Sequence, residues 1–318
     1  MVSSRVASCQ GLDADSGDIE NQIIASNPLT ESLGNAKTTR NNNSSRFGKF
    51  IELGYSADGI IVSAGIRTYL LEGVRVVSHV EGERNFHIYY EIVAGSSLNY
   101  LERVGVTSIT DFRLVNCSES SLASSKPEQT LIDRENFGLF QDALTTLDFS
   151  PSEQDTILDV VISVLHIGNL NFSESHVVGE EAAQFSTNCN QHVSQICSLL
   201  SISQECLLSA VGRRGLAVGK TMTLKQLSVK DASHARDTLA RAIYSALFSW
   251  VLQKVNLALE CTTSTPVLSS ISVLDVFGFE FFARNSLEQL CINYTNEKLQ
   301  VRYTATLHIL CSLMCNCY

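Results

Sequence analysis

The chain has 318 residues, 44% hydrophobic, 18% charged and only four prolines, a globular composition that excludes disorder and suffices for a large core. A formal charge of −10 and a pI near 5.2 exclude a general binder of nucleic acid or anionic membrane. Any acidic partner has to be met by a local basic loop.

Ten cysteines lie without repeated spacing, which fits reduced thiols in the cytosol and not a disulfide framework. Cys311, Cys315 and Cys317 crowd together, but no histidine or cysteine set completes a zinc site there. The first residues, MVSSRVASCQGLD, have no apolar centre of a signal peptide. The most apolar late run, 305–315, contains His308 and is too short to span a bilayer, so no membrane span is expected.

Residues 1–17 are rich in Ser, Ala and Gly and read as a flexible lead-in. From Asp18 the spacing of Ile19, Gln22, Ile23 and Ser26 predicts a helix, and Pro28 predicts a break before a second short one. Gly34 and Asn35, which tolerate positive φ, end it. Residues 41–49 follow, NNNSSRFGK, with three amides, two hydroxyls, an arginine and a lysine. Ser44 and Ser45 can face a hard cation or a phosphate, Arg46 can grip a carboxylate at two points, and Gly48 lets the backbone turn. Alone, the stretch reads equally as a polar surface loop.

Residues 50–53 and 60–62 read as strands joined by a turn at Gly54, Asp58 and Gly59, and 66–71 as a further strand. Helical spacing returns over 84–94, and 118–126 reads as a serine-rich loop. Ser150, Pro151 and Glu153 form a strong helix start, with a stripe of Ile157, Val160, Val161, Val164 and Leu165 running to a stop at Gly168–Asn169. A helix over 233–259 carries Leu239, Ile243, Leu247, Trp250 and Val251 as core positions. Residues 271–276 read as a strand, and Asn285 with Glu288 opens the last helix.

The loop after that strand is Asp275-Val276-Phe277-Gly278-Phe279-Glu280. An aspartate leaving a strand can orient metal-bound water, and a glycine amide can approach a terminal phosphate closely. Alone, this D-x-x-G reads equally as a plain strand-to-helix connection. Together, N-x-N-S-S-R-F-G-K and D-x-x-G-F-E resemble switch I and switch II of the myosin motor head. IENQIIASNPLTESLGNAKTTR, RTYLLEGVRVVSHVEGERNFHIYYEI, LHIGNLNF, RDTLARAIYSALFSWVLQKVN and NSLEQLCINYTNEKLQ are also family-like, over roughly 18–300. Kinesins, the near neighbours, read S-S-R-S-H in switch I and lack the F-E of switch II.

The resemblance implies an actin-based motor that binds and hydrolyses Mg-ATP in its complete form. Asn41 would contact the phosphates, Ser44 the γ-phosphate and attacking water, and Ser45 the magnesium. Gly278 would donate its amide to the γ-phosphate, Asp275 would stand behind magnesium, and Arg46 would pair with Glu280 when switch II closes.

No G-x-x-x-x-G-K-[ST] occurs in the sequence, so the chain by itself is expected to be inactive. Residues 215–221, GLAVGKT, fall one residue short, with Arg214 where the first glycine belongs, and run into an alternating stretch. The same residues fit a myosin surface hairpin, 213–226, that touches actin through Arg213, Arg214, Lys220 and Lys225. Thr221 stands sixteen residues before Asp237, where the family carries an acidic residue or a phosphorylatable hydroxyl; an ordinary exposed threonine is the alternative.

The expected fold is α/β: a helix-rich upper lobe of a P-loop NTPase motor head, with a few strands of an incomplete central mixed sheet. The expected units are the lead-in, a partial motor domain over 18–300 and an off-family tail over 301–318. The expected partners are actin filaments in the cytoplasm, with no nucleic acid and no light chains on this fragment. The alternative is a non-catalytic actin-binding fragment or a relic without ATPase activity.

Overall fold

A computed structural model describes residues 16–116, 127–177, 180–218, 221–260, 266–281, 285 and 287–315. For 16–18, 176–177, 180–181, 216–218, 221–223 and 307–315 it describes the backbone alone. The expected loop at 118–126, most of the lead-in and Lys220 lie outside the described residues, as do the side chains of Cys311 and Cys315 and all of Cys317.

Helix α1 (Ser16–Gly34) runs unbroken through Pro28, contrary to the break expected there. Hydroxyls occupy carbonyls around the proline: Ser26 Oγ donates to the Ile23 carbonyl at 2.7 Å and Thr30 Oγ1 to that of Ser26 at 2.8 Å. Buried Ile23, Leu29 and Leu33 tie both halves of the helix to the same core, and packing overrides the proline's local preference. Gly34 ends the helix without positive φ; a Cβ there would lie 2.3 Å from Phe47 Cε1, so its role is close approach.

Two short strands, β1 (Asn35–Ala36) and β2 (Ser44–Ser45), pair antiparallel and lead into β3 (Gly48–Tyr55). Gly59, at φ 76°, turns β3 into β4 (Ile61–Tyr69), which absorbs the two strand runs expected over 60–71. After a 3-10 turn at Gly73–Val76 come α2 (His87–Gly95) and α3 (Leu98–Arg103), then α4 (Pro127–Thr146). Helix α5 (Pro151–Gly168) opens on the expected capping box, the Ser150 and Glu153 side chains each bonding the other's backbone N–H, and stops at Asn169.

The hairpin β5 (Phe172–Val177) and β6 (Glu180–Phe185) precedes α6 (Asn190–Leu199) and α7 (Gln204–Gly212). A second hairpin, β7 (Arg213–Val218) with β8 (Thr221–Gln226), leads into α8 (Val229–Leu259). The Ser228 side chain accepts from the Asp231 N–H and starts α8 four residues before the periodic pattern does. Its buried face holds Tyr244, Leu247, Phe248, Val251 and Val255, while Leu239, Ile243 and Trp250 pack half-buried at the core's margin. By length and apolarity alone α8 is long enough to cross a bilayer, but its Tyr244, Phe248, Val251 and Val255 pack into the protein's own core.

Strand β9 (Ser269–Asp275) and helix α9 (Leu287–Cys315) are the last described elements, and α9 continues past Gln300 without interruption. The central sheet has the order β4-β3-β9. Every described pairing is antiparallel, where a mixed sheet was expected: a short turn forces β3 against β4, and β9 runs opposite to β3 with Asp275 facing Lys49. Strand β9 is an edge of this sheet, and its Ile271 and Leu274 are exposed.

Candidate functional site: a buried arginine between two loops

The site forms where the end of α1, strand β2 and the loop after β9 converge. The Arg46 N–H donates to the Gly34 carbonyl at 2.9 Å, which pins the loop to the helix end. The guanidinium turns inward and is only 2% exposed. Its Nη1 and Nη2 donate to Glu280 Oε1 and Oε2 at 2.7 and 3.2 Å, and Nη1 also to Ser44 Oγ at 3.2 Å. Its Nε donates to Glu72 Oε2 at 2.8 Å. Burial works against the Arg46 charge, but Glu72 and Glu280 outweigh it and hold the pKa above the ordinary arginine value.

Glu280 is held from behind by α9. Asn293 accepts from the Glu280 N–H at 2.8 Å and donates to its carbonyl at 2.7 Å; Asn296 donates to the Phe277 carbonyl at 2.9 Å. An apolar cavity of about 390 Å³, lined by Gly48, Tyr69, Leu70, Val276, Phe277 and Asn296, lies beside these contacts. Gly48 sits within β3 without positive φ; a Cβ there would lie 3.3 Å from Val276, so it serves packing, not the turn the sequence suggested.

Ser44, Arg46 and Glu280 are therefore in direct contact. Ser45 Oγ donates to the Phe47 carbonyl at 2.8 Å, which leaves its lone pairs for another donor or a cation. Asn41 is exposed and its Oδ1 accepts from the Asn43 N–H at 2.9 Å. Gly278 is exposed, with nothing within 4 Å of where a Cβ would stand. Asp275 is exposed at the end of β9 opposite Lys49. Lys49 is buried, its Nζ donating to Asn27 Oδ1 and Thr30 Oγ1 at 2.9 and 3.2 Å; burial lowers its pKa to about 8, against the pull of Glu31 and Asp275. Among the described residues no group of three or more His, Cys, Asp or Glu could hold a metal, so a cation here would lean on hydroxyls and added ligands.

The sequence matches the family model of the myosin head (motor domain) over residues 2–311. The chain belongs to the myosin head family. The match extends beyond 18–300 at both ends. Unconventional myosin-Vb of Mus musculus is 38% identical over 295 residues, 93% of this chain but 16% of that protein. Unconventional myosin IC of Drosophila melanogaster is 36% identical over 93% of this chain and 28% of its own length. Myosin-3 of Arabidopsis thaliana is 36% identical over 90% and 24%. The chain thus spans a quarter or less of most of these myosins' length.

The hairpin of β7 and β8 lies apart from the arginine site. The backbone of 215–218 and 221 lies in β7 and β8, so GLAVGKT leads into a strand and not into the helix N-terminus a phosphate loop needs. Arg214 and Lys225 face each other across the strands and are exposed, whereas Arg213 is drawn back to Glu205 by an ion pair of 2.7 Å. Asp237, on α8, is paired with both Arg113 and Arg236 at 2.6 and 2.9 Å.

Sequence reading missed Glu72, Arg75, Asn293 and Asn296. Glu72 and Arg75 stand three apart around a 3-10 turn, a weak charge pattern, and only the contact of Glu72 with Arg46 gives them meaning.

Proposed function

We propose that this chain is the switch-bearing segment of an actin-based motor whose complete head binds and hydrolyses Mg-ATP. The observation that carries this reading is the two-point Arg46–Glu280 pair, which joins a Ser-Ser-Arg loop to a D-x-x-G-F-E loop. In this reading residues 41–49 are switch I and residues 275–280 are switch II. Bound magnesium would neutralise charge on the phosphates and hold them in line for attack by water.

The residues fit that task by chemistry. Asn41 and Gly278 are exposed and can reach phosphate oxygens. Ser44 accepts from Arg46, so its own proton points to an acceptor such as a phosphate or water. Ser45 would offer lone pairs to magnesium, and Asp275 would accept from a water of its shell. Closing Glu280 onto Arg46 then completes the wall that holds the attacking water. Actin filaments are the proposed partner, met by the exposed Arg214 and Lys225 with Lys220 and, less freely, Arg213. The proposed setting is the cytoplasmic actin cytoskeleton.

Titration with a fluorescent ATP analogue in Mg2+ tests the reading on two proteins. The full-length protein is expected to bind tightly and to hydrolyse ATP faster on actin filaments; actin binding without turnover overturns the motor. The 318-residue chain is expected to bind weakly, because its sequence holds no phosphate-cradling lysine loop.

A further inference from the structure

Arg46 has two carboxylate partners, and they are held in different ways. Glu280 reaches the Nη edge from an irregular loop fastened by Asn293. Glu72 reaches the Nε edge from the entry of the 3-10 turn Gly73–Val76 and is fixed at two further points. Its own N–H donates to the Arg46 carbonyl at 2.9 Å. Its Oε2 also accepts from Arg75 Nε at 2.6 Å, and Arg75 in turn donates to Glu83 Oε2 at 2.8 Å and to the Arg84 carbonyl at 2.9 Å. Arg75 and Arg46 together hold the Glu72 carboxyl below the usual carboxylate range, although burial alone would raise it.

A buried guanidinium whose sole counter-ion sat on a moving loop would be left uncompensated whenever that loop withdrew. We propose that Glu72 is the positioning residue of the switch pair. It keeps the Nε edge of Arg46 permanently paired, so the Nη edge can be engaged and released by Glu280 while the guanidinium neither turns nor loses its compensation. Arg75 anchors Glu72. The holding of Arg46 is a property of this chain alone; its consequence for turnover rests on the motor reading.

The test labels the chain with 15N-arginine and follows the Arg46 Nε–H resonance, assigned by its loss in Arg46→Lys. Glu280→Gln is expected to leave its shift and its slow exchange with water in place. Glu72→Gln is expected to move the resonance and accelerate its exchange, and Arg75→Lys to do so in part. The other arginine Nε–H resonances report that each variant is folded. If Glu280→Gln disturbs the Arg46 signal as much as Glu72→Gln does, the assignment is overturned. In the full-length protein Glu72→Gln is expected to lower kcat with little change in the KM for ATP. A wild-type protein without ATPase activity would sink the motor reading and leave the resonance result standing.

Discussion

Arg46 and Glu280 meet across 234 positions of sequence in a two-point ion pair, at 2.7 and 3.2 Å. The pair closes a path from α1 through the Gly34 carbonyl and Arg46 to Glu280, and on through Asn293 to α9.

Charge reversal separates the pair from its surroundings. Glu280→Arg places two cations in one buried site and is expected to cost about 3 kcal/mol or more, with loss of turnover in the full-length protein. Adding Arg46→Glu restores the sign of the pair but sets a new carboxylate beside Glu72. Recovery is thus expected to be partial, and to improve when Glu72→Gln is added. A double variant no more active than Glu280→Arg alone would show that the bridge is not what turnover depends on.

Asn293 holds both backbone polar groups of Glu280, so Asn293→Ala leaves two of them unpaired at once. The expected cost is about 1–3 kcal/mol, concentrated in the loop. Hydrogen exchange followed by mass spectrometry is expected to accelerate in peptides covering 276–281, while β3 and β4 stay protected. Uniform acceleration across the chain would mean that Asn293 supports the whole fold instead.

What the sequence made legible was local or motif-bound. The Ser150–Glu153 cap and the Gly168–Asn169 stop involve neighbours along one helix and emerge as expected. Arg46 and Glu280 were legible because each sits in a distinctive loop. Pro28 misled because Ile23 and Leu33 on either side belong to one core, which no local rule can see. Gly34 was read as a turn residue, yet its constraint is the ring of Phe47, thirteen positions on. Glu72 and Arg75 escaped because an acid and a base three apart are common; their role appears only once Arg46 is found between Glu72 and Glu280.

Thr221 opens β8 opposite Val218, in a hairpin whose described basic residues Arg214 and Lys225 point to solvent. In the proposed actin-facing role, a permanent negative charge at this strand end would change how the hairpin meets an acidic filament and how its own cations are shared. In the full-length protein Thr221→Glu is expected to raise actin-activated ATPase, with basal activity unchanged. An unchanged or lower actin-activated rate argues that Thr221 is an ordinary strand residue.

Glu91 makes stability depend on pH in an unusual sense. It lies on α2, is only 2% exposed, and its Oε2 has no hydrogen-bond partner among the described residues. Burial raises its pKa from 4.5 to about 7, partly countered by hydrogen bonds from Ser32 and Asn136. The folded state thus binds this proton more tightly than the unfolded chain, so the contribution is full below pH 4.5 and is lost as pH rises towards 7. His166 runs the other way: burial lowers its pKa from 6.5 to about 4, so its contribution is present above 6.5 and lost as pH falls towards 4. The two slopes oppose each other in the wild-type chain. Glu91→Gln mimics the protonated acid and removes one of them. The variant is expected to match wild type near pH 4.5 and to exceed it by about 3 kcal/mol at pH 8. Urea unfolding midpoints at pH 4.5, 6 and 8 measure this, and a difference that stays constant with pH would show that the Glu91 carboxyl is not held neutral by burial.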